Sequence, residues 1–189
     1  MSNVILITPR KFGDSRGWFT ETYNERREHD SGIAEHFVQD NQSYSRDLGT
    51  IRGIHFQRPP FAQAKLVRCV RGRILDIAVD LRRGSPTYGK YVSAELSEEN
   101  GSQLYIPVGF GHAFITLESN CEVAYKVSDY YAPEADGGIR YDCPDLAIDW
   151  PKLGREITLS AKDSALPFLK DFDSPFAYDG NPMSFVDCK

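Results

Sequence analysis

Short segments in which successive side chains alternate in character are the feature that most constrains the fold of this chain. Leu75, Ile77 and Val79 alternate with a second set of side chains, and residues 92–97 and 123–127 repeat this period of two. The period is that of a β-strand, whose successive side chains point to opposite faces. Clusters of glycine, proline, asparagine and serine separate the segments. The pattern predicts an all-β sandwich or barrel.

Helical patterns are few and short. One helix is expected from about Asn24 to Glu35, with Gly32 limiting its length. Another is expected to begin at Ser160, where Ser160 and Asp163 have the spacing of a capping box.

The chain of 189 residues is long enough for one domain with a sizeable core. We assign residues 1–170 to this domain. Residues 171–189 are rich in proline, glycine and aspartate. We interpret them as an extended C-terminal tail over the surface or over a neighbouring subunit.

Composition excludes several classes of protein. The net charge of -5 and the pI of about 5.4 argue against a general nucleic-acid-binding protein. No apolar run approaches the roughly 20 residues of a membrane span, and the first residues lack the basic start of a signal peptide. None of the four cysteines forms a CxxC pair or a zinc-type spacing with histidine. We therefore expect free thiols and a cytoplasmic protein that does not enter the membrane.

The most informative stretch for function surrounds His55. The sequence IRGIHFQ at 51–57 and the sequence KLVR at 65–68 place this histidine near Arg52, Lys65 and Arg68. An imidazole is largely neutral near pH 7 and can still accept a proton. Surrounding cations favour an anionic ligand and any oxyanion formed beside it. The stretch predicts a site that removes a proton from a negatively charged substrate.

The sequence PVGFGH at 107–112 has the spacing PxGxxH, which resembles the second signature of the cupin superfamily, a double-stranded jelly roll. The first cupin signature would place HxH on an earlier strand, but His55 is followed by Phe56 and Gln57. A transition-metal site of this kind uses three or more protein ligands, and only His55 and His112 are suitably placed. We expect no metal.

Each candidate also has a structural interpretation. Taken alone, His55 is more often a half-buried strand histidine, and Asp163 would cap a helix whether or not anything is catalysed. Tyr125 is in phase with Val123 and Val127, which is typical of a core tyrosine.

Seven ordered motifs between about residues 4 and 169 make the chain resemble the dTDP-4-dehydrorhamnose 3,5-epimerase family. They are DSRGWFTE at 14–21, FVQDN at 37–41, IRGIHFQ at 51–57, KLVR at 65–68, IPVGFGHAF at 106–114, YKVSDYY at 125–131 and LSAKD at 159–163. Seven motifs in one order are highly specific, whereas PxGxxH alone is not.

The resemblance implies a jelly roll, a cofactor-free reaction and a homodimer. It implies that His55 is the general base, Asp163 orients it, Tyr125 donates a proton on the opposite face of the sugar, and Lys65 faces the C4 oxygen. It implies a dTDP-4-keto-6-deoxy sugar as substrate, on the route to L-rhamnose of cell-surface polysaccharides. Some binding contacts reach across the dimer interface in the family. The implied binding residues are Arg16, Glu21, Gln39, Asn41, Arg52, His112, Tyr130, Asp136 and Lys162.

The chemistry suits these residue types, because the C3 and C5 hydrogens are both α to the C4 ketone. Removing either gives an enolate with its charge on O4, which a lysine can stabilise. Inversion needs an acid opposite the base, and a tyrosine stays protonated near neutral pH. Arg52 and His55 have opposite strand parity, so a shared cavity requires a twist or bulge near Gly53.

Three alternatives remain open from the sequence. One is a 3-only or 5-only epimerase acting on a related nucleotide sugar. The others are a non-catalytic sugar-binding jelly roll and a metal cupin such as a dioxygenase.

Overall fold

Thirteen β-strands dominate residues 3–188, the part of the chain that the structure, a computed structural model, describes. They are β1 (Asn3–Ile7), β2 (Phe12–Asp14), β3 (Gly17–Phe19), β4 (Gln39–Ser45), β5 (Ile51–Gln57), β6 (Lys65–Arg71), β7 (Arg73–Asp80), β8 (Tyr91–Ser97), β9 (Gln103–Ile106), β10 (Phe110–Thr116), β11 (Cys121–Val127), β12 (Asp136–Gly138) and β13 (Ser184–Cys188). The segments predicted from their period of two correspond to β7, β8 and β11.

The strands form two large sheets and a separate hairpin. Six strands lie in the order β13-β1-β9-β6-β11-β4, and five lie in the order β12-β5-β10-β7-β8. All neighbouring strands are antiparallel except β13 and β1. The hairpin pairs β2 with β3. This double-sheet arrangement is the predicted all-β jelly roll.

Two apolar clusters explain why most of β7 is buried on both faces. Ile74 and Ala78 pack with Phe114 in the core between the sheets. Ile77 and Val79 belong to a second cluster, formed with side chains from the segments that follow β12. The period of two therefore separates two cores rather than core from solvent. Full burial of one such aliphatic side chain stabilises the fold by roughly 1.5–3 kcal/mol.

Both expected helices exist, but they are short. Helix α1 (Glu25–Asp30) begins after Asn24, whose side chain accepts hydrogen bonds from two backbone N–H groups. It ends before Gly32, which has a φ of 94°, so the expected extension to Glu35 was wrong. Helix α2 (Ala161–Ser164) is a single turn capped by Ser160. No helix within residues 3–188 is long and apolar enough to cross a bilayer.

The segment interpreted as a tail packs on its own chain. The rings of Phe172 and Phe176 lie 5.1 and 5.5 Å from that of Phe56. The buried Arg82 guanidinium donates to Asp179 at 2.9 Å. Strand β13 then extends the six-stranded sheet beside β1. The boundary at residue 170 stays a prediction, but the described residues beyond it contribute to the core and to a sheet. Lys189, the last residue of the segment, lies outside the described residues.

Candidate active site

A cavity between the two sheets contains the histidine, lysine and tyrosine of the sequence motifs. It consists of two adjoining chambers of about 440 and 250 Å³. His55, Lys65, Tyr125 and Lys162 line both chambers. Among the other predicted site residues, the first chamber is lined by Arg52, His112 and Asp163, and the second by Gln39, Asn41 and Asp136.

His55 and Asp163 form a hydrogen-bonded pair at the cavity wall. His55 Nε2 lies 2.7 Å from Asp163 Oδ1, and the side chain of Asp163 is 5% exposed against 30% for His55. Burial opposes ionisation of Asp163, but the hydrogen bond and charge of His55 outweigh it and hold the pKa of the carboxyl below its usual range. The Ser160 hydroxyl and the backbone N–H of Gly53 lower this pKa further. The arrangement is a carboxylate that orients an imidazole, with the second ring nitrogen available to a ligand.

Helix α2 satisfies its cap without using the Asp163 carboxylate. The backbone N–H of Asp163 donates to Ser160 Oγ at 3.0 Å. Because the cap uses only the backbone of Asp163, its side chain can turn toward His55. Ser160 therefore caps the helix as the sequence predicts, whereas the Asp163 side chain pairs with His55 instead of completing a capping box.

A bulge at Gly53 brings Arg52 and His55 to the same cavity. In the pairing of β5 with β10, His55 is opposite His112 and Arg52 is opposite Phe114, so β5 has one extra residue. Gly53 has a φ of 123°. A Cβ atom there would lie 2.5 Å from Ala113 Cβ, so only glycine fits. The bulge required by the sequence argument is confirmed.

Tyr125 and Lys65 face His55 from the other sheet. Tyr125 lies on β11 and Lys65 on β6, whereas His55 lies on β5 of the five-stranded sheet. Burial raises the pKa of Tyr125, although Arg52 opposes the shift, so the phenol stays protonated near neutral pH. Desolvation by the cavity walls lowers the pKa of Lys65 to about 8, against the attraction of Asp76 and Asp136.

A second histidine–aspartate pair lies beside the first. His112 is opposite His55 in the strand pairing, and its Nε2 lies 2.7 Å from Asp76 Oδ1. Burial lowers the pKa of His112, with Asp76 opposing the shift. The same burial raises the pKa of Asp76, against the attraction of His112 and Lys65. Near neutral pH this arrangement favours an uncharged imidazole.

An ion pair between Lys162 and Asp136 joins α2 to β12 at the edge of the cavity. The hydrogen bond that Lys162 donates to Asp136 raises the pKa of Lys162. Tyr131 lines the second chamber as well, and its backbone N–H donates to Gln39 Oε1 at 3.1 Å. These contacts fix the polar rim of the second chamber.

The family model for dTDP-4-dehydrorhamnose 3,5-epimerase matches residues 1–171. The chain belongs to this family. A dTDP-4-dehydrorhamnose 3,5-epimerase of Sinorhizobium fredii is 51% identical over 178 residues, which are 94% of this chain and 91% of the relative. The enzyme of the same name from Salmonella typhimurium is 46% identical over 168 residues, with coverages of 88% and 91%.

Solved structures of this epimerase family share the fold. The 3,5-epimerase of Legionella pneumophila in complex with dTDP-4-keto-L-rhamnose has a TM-score of 0.88 and 44% identity, and each chain is covered to 93%. A 3'-monoepimerase of Streptomyces bikiniensis in complex with dTDP-quinovose has a TM-score of 0.81 and 33% identity, with coverages of 87% and 83%. The family therefore includes relatives named for different numbers of inverted centres.

Three residues that the family resemblance implies lie away from the cavity of this chain. Arg16 is exposed on the β2–β3 turn and pairs with Asp14. Glu21 pairs with Arg27. Tyr130 is 65% exposed and lines neither chamber. Their roles as binding residues stay predictions.

Sequence reasoning missed Tyr131 and Asp76. Tyr131 stands next to Tyr130 in the motif at 125–131, and nothing local distinguishes the two neighbouring tyrosines. Asp76 did carry a signal, because it is a carboxylate with two apolar residues on each side in the strand. Within the described residues, no three His, Cys, Asp or Glu side chains are grouped to hold a metal ion.

Proposed function

We propose that this chain is a dTDP-4-dehydrorhamnose 3,5-epimerase. It inverts C3 and C5 of dTDP-4-dehydro-6-deoxy-D-glucose and forms dTDP-4-dehydro-L-rhamnose in dTDP-L-rhamnose biosynthesis. The observation that carries this proposal is that His55 and Tyr125 project from facing sheets into one cavity that also contains Lys65. Epimerisation needs a base and an acid on opposite sides of a sugar ring.

The first step is removal of a proton α to the ketone by His55. The hydrogen bond to Asp163 supports this role, because the carboxylate stabilises the imidazolium that forms. General base catalysis by a positioned side chain typically contributes 10²–10⁴-fold to a rate.

The enolate carries its charge on O4, which Lys65 stabilises. No described residue forms a hydrogen bond with the Lys65 ammonium, so its donors are available to a substrate oxygen. A preorganised donor of this type contributes roughly 3–4 kcal/mol.

Tyr125 then delivers a proton to the opposite face. Its raised pKa supports the role, because the phenol keeps its proton until the carbanion forms. Repetition at the second carbon inverts the second centre.

The binding residues around these groups suit a nucleoside diphosphate. Arg52 supplies a guanidinium for phosphate oxygens, and Gln39 and Asn41 supply amides in the second chamber. The ligands bound in the solved relatives support a dTDP-linked sugar as the substrate. We assign contacts with this substrate also to His112, Asp136 and Lys162.

A homodimer would explain why Arg16 and Glu21 lie away from the cavity of their own chain. The β2–β3 hairpin exposes Phe12, Trp18 and Phe19, which are 53%, 61% and 70% exposed. An aromatic hairpin of this kind suits a second copy of the chain. Arg16, at its turn, would then contribute to the partner's cavity. We place the enzyme in the cytoplasm.

Incubation with dTDP-4-keto-6-deoxy-D-glucose in heavy water tests the proposal. NMR should report deuterium at both C3 and C5, and addition of a 4-ketoreductase with NADPH should yield dTDP-L-rhamnose. Absence of exchange at both carbons would refute the proposal. Exchange and inversion at C3 alone would instead identify a 3-epimerase, which the similarity to the Streptomyces bikiniensis 3'-monoepimerase makes the second candidate.

A further inference from the structure

Asp76 is the least exposed carboxylate beside the cavity, and its nearest neighbours on the same face of its strand are apolar. It belongs to β7 and is 0% exposed, between Ile74 and Ala78 on the same face of the strand. One carboxylate oxygen accepts a hydrogen bond from His112, and the other is buried without a hydrogen-bonding partner among the described residues. Burying a carboxylate oxygen without a partner lowers the stability of the fold. We therefore expect a charged group that offsets this loss.

The other acids at the cavity are paired with side chains of the lining. Asp163 is paired with His55, and Asp136 is paired with Lys162. The partner of Asp76 is His112, which burial keeps largely uncharged near neutral pH. Asp76 therefore combines an uncharged partner with a buried oxygen that no described residue contacts by a hydrogen bond.

Among the described cations of the cavity lining, Lys65 is the one without a hydrogen-bonding partner. Arg52, the remaining cation in the lining, donates to Ser45 Oγ and to the backbone oxygen of Tyr44 at the exposed rim. Lys65 has no hydrogen bond within the described residues, and its nearest recorded ring contact is Tyr125, with Nζ 6.0 Å from the ring centroid. Two carboxylates raise the pKa of Lys65 by attraction, and Asp76 raises it more than Asp136 does.

We propose that Asp76 is a positioning residue that keeps the Lys65 ammonium charged and holds His112 at the cavity wall. Its paired oxygen fixes the imidazole, and its unpaired oxygen attracts the ammonium across the gap between the sheets. The role in catalysis rests on the proposed function, because a charged Lys65 matters when an enolate oxygen forms beside it.

Direct titration of Lys65 tests this inference without substrate. The protein is labelled with ¹³C-lysine, and the Lys65 Cε signal is assigned by its loss in Lys65→Arg. The wild-type signal should titrate near pH 8. In Asp76→Asn the midpoint should fall by about one pH unit or more, because an attracting charge is lost.

Asp80→Asn is the matched control. Asp80 lies on the same strand, is also 0% exposed and is paired with Arg82. Its loss should leave the Lys65 midpoint unchanged. An unchanged midpoint in Asp76→Asn, or an equal fall in both variants, overturns the inference. If Asp76→Asn does not fold, the carboxyl ¹³C signal of wild-type Asp76 decides, since a protonated carboxyl at pH 7 also overturns it.

Kinetics distinguish positioning from a merely structural effect. In Asp76→Asn, the alkaline decline of kcat should move to lower pH by the same amount as the Lys65 midpoint. Introducing Lys65→Arg into both backgrounds should remove that difference, because a guanidinium does not titrate there. A kcat lowered equally at every pH contradicts the inference. The absence of epimerase activity in the wild type would overturn the proposed function while leaving the titration result standing.

Discussion

Gly53→Ala tests the bulge of β5. The substitution should lower the free energy of unfolding, and the size of that loss follows from two effects. The backbone at Gly53 has a φ of 123°, a region nearly reserved for glycine, and a side chain there costs about 1–3 kcal/mol. The added Cβ would lie 2.5 Å from both Ala113 Cβ and the backbone oxygen of His112. Relieving such overpacking typically costs about 1–3 kcal/mol. The sum is about 2–6 kcal/mol.

Gly84→Ala separates the backbone effect from the effect of the steric contact. Gly84 also has a positive φ, of 86°, but an added Cβ would meet no atom within 4 Å. Its variant should show the backbone cost alone. Urea unfolding at equal protein concentration measures both, and the Gly53→Ala midpoint should be the lower one by roughly 1 M, given a slope of about 1–3 kcal/mol/M. Equal stabilities with unchanged epimerisation would refute the claim that glycine is required to bring Arg52 and His55 to one cavity.

Three further variants or conditions test the chemistry. His55→Ala should abolish deuterium exchange at C3 and C5, and NMR exchange at the wild-type rate would contradict its role as base. Tyr125→Phe should lower the yield of inverted product more than it lowers enolate formation, and an undiminished yield of inverted product would exclude it as the donor. The wild-type kcat should decline as pH rises through about 8, where Lys65 loses its proton. In Lys65→Arg this alkaline decline should be absent. A wild-type kcat that stays constant to pH 9.5 would disprove the need for a charged lysine.

The sequence could predict the strands and most of the cavity residues, because strand periodicity and contiguous motifs are local features of the chain. Strand periodicity located β7, β8 and β11. The motifs supplied His55 and Lys65, and the structure places both in the cavity lining. Even the conflict between the parities of Arg52 and His55 was informative, since it required a bulge at the one glycine between them.

The tail could not be predicted, because its contacts depend on distant partners. Phe172 and Phe176 show no periodicity, yet both pack on Phe56 of β5. Arg82 and Asp179 are also far apart in sequence, and their ion pair exists only after β7 and the last segment have met. Sequence patterns report the period of one element and not the pairing of two remote ones.

The jelly roll suits an epimerase because it offers two facing walls that are held apart by a packed core. His55 and His112 project from the five-stranded sheet, whereas Lys65 and Tyr125 project from the six-stranded sheet. A single sheet would present all of these groups to one face of a sugar. The spacing of the walls depends on the apolar side chains between them, such as Phe114, which packs in the inter-sheet core and also lines the first chamber. The proposed opposite-face proton transfer therefore depends on how the two sheets pack, and we expect substitutions in that core to alter the rate without touching a transferred proton.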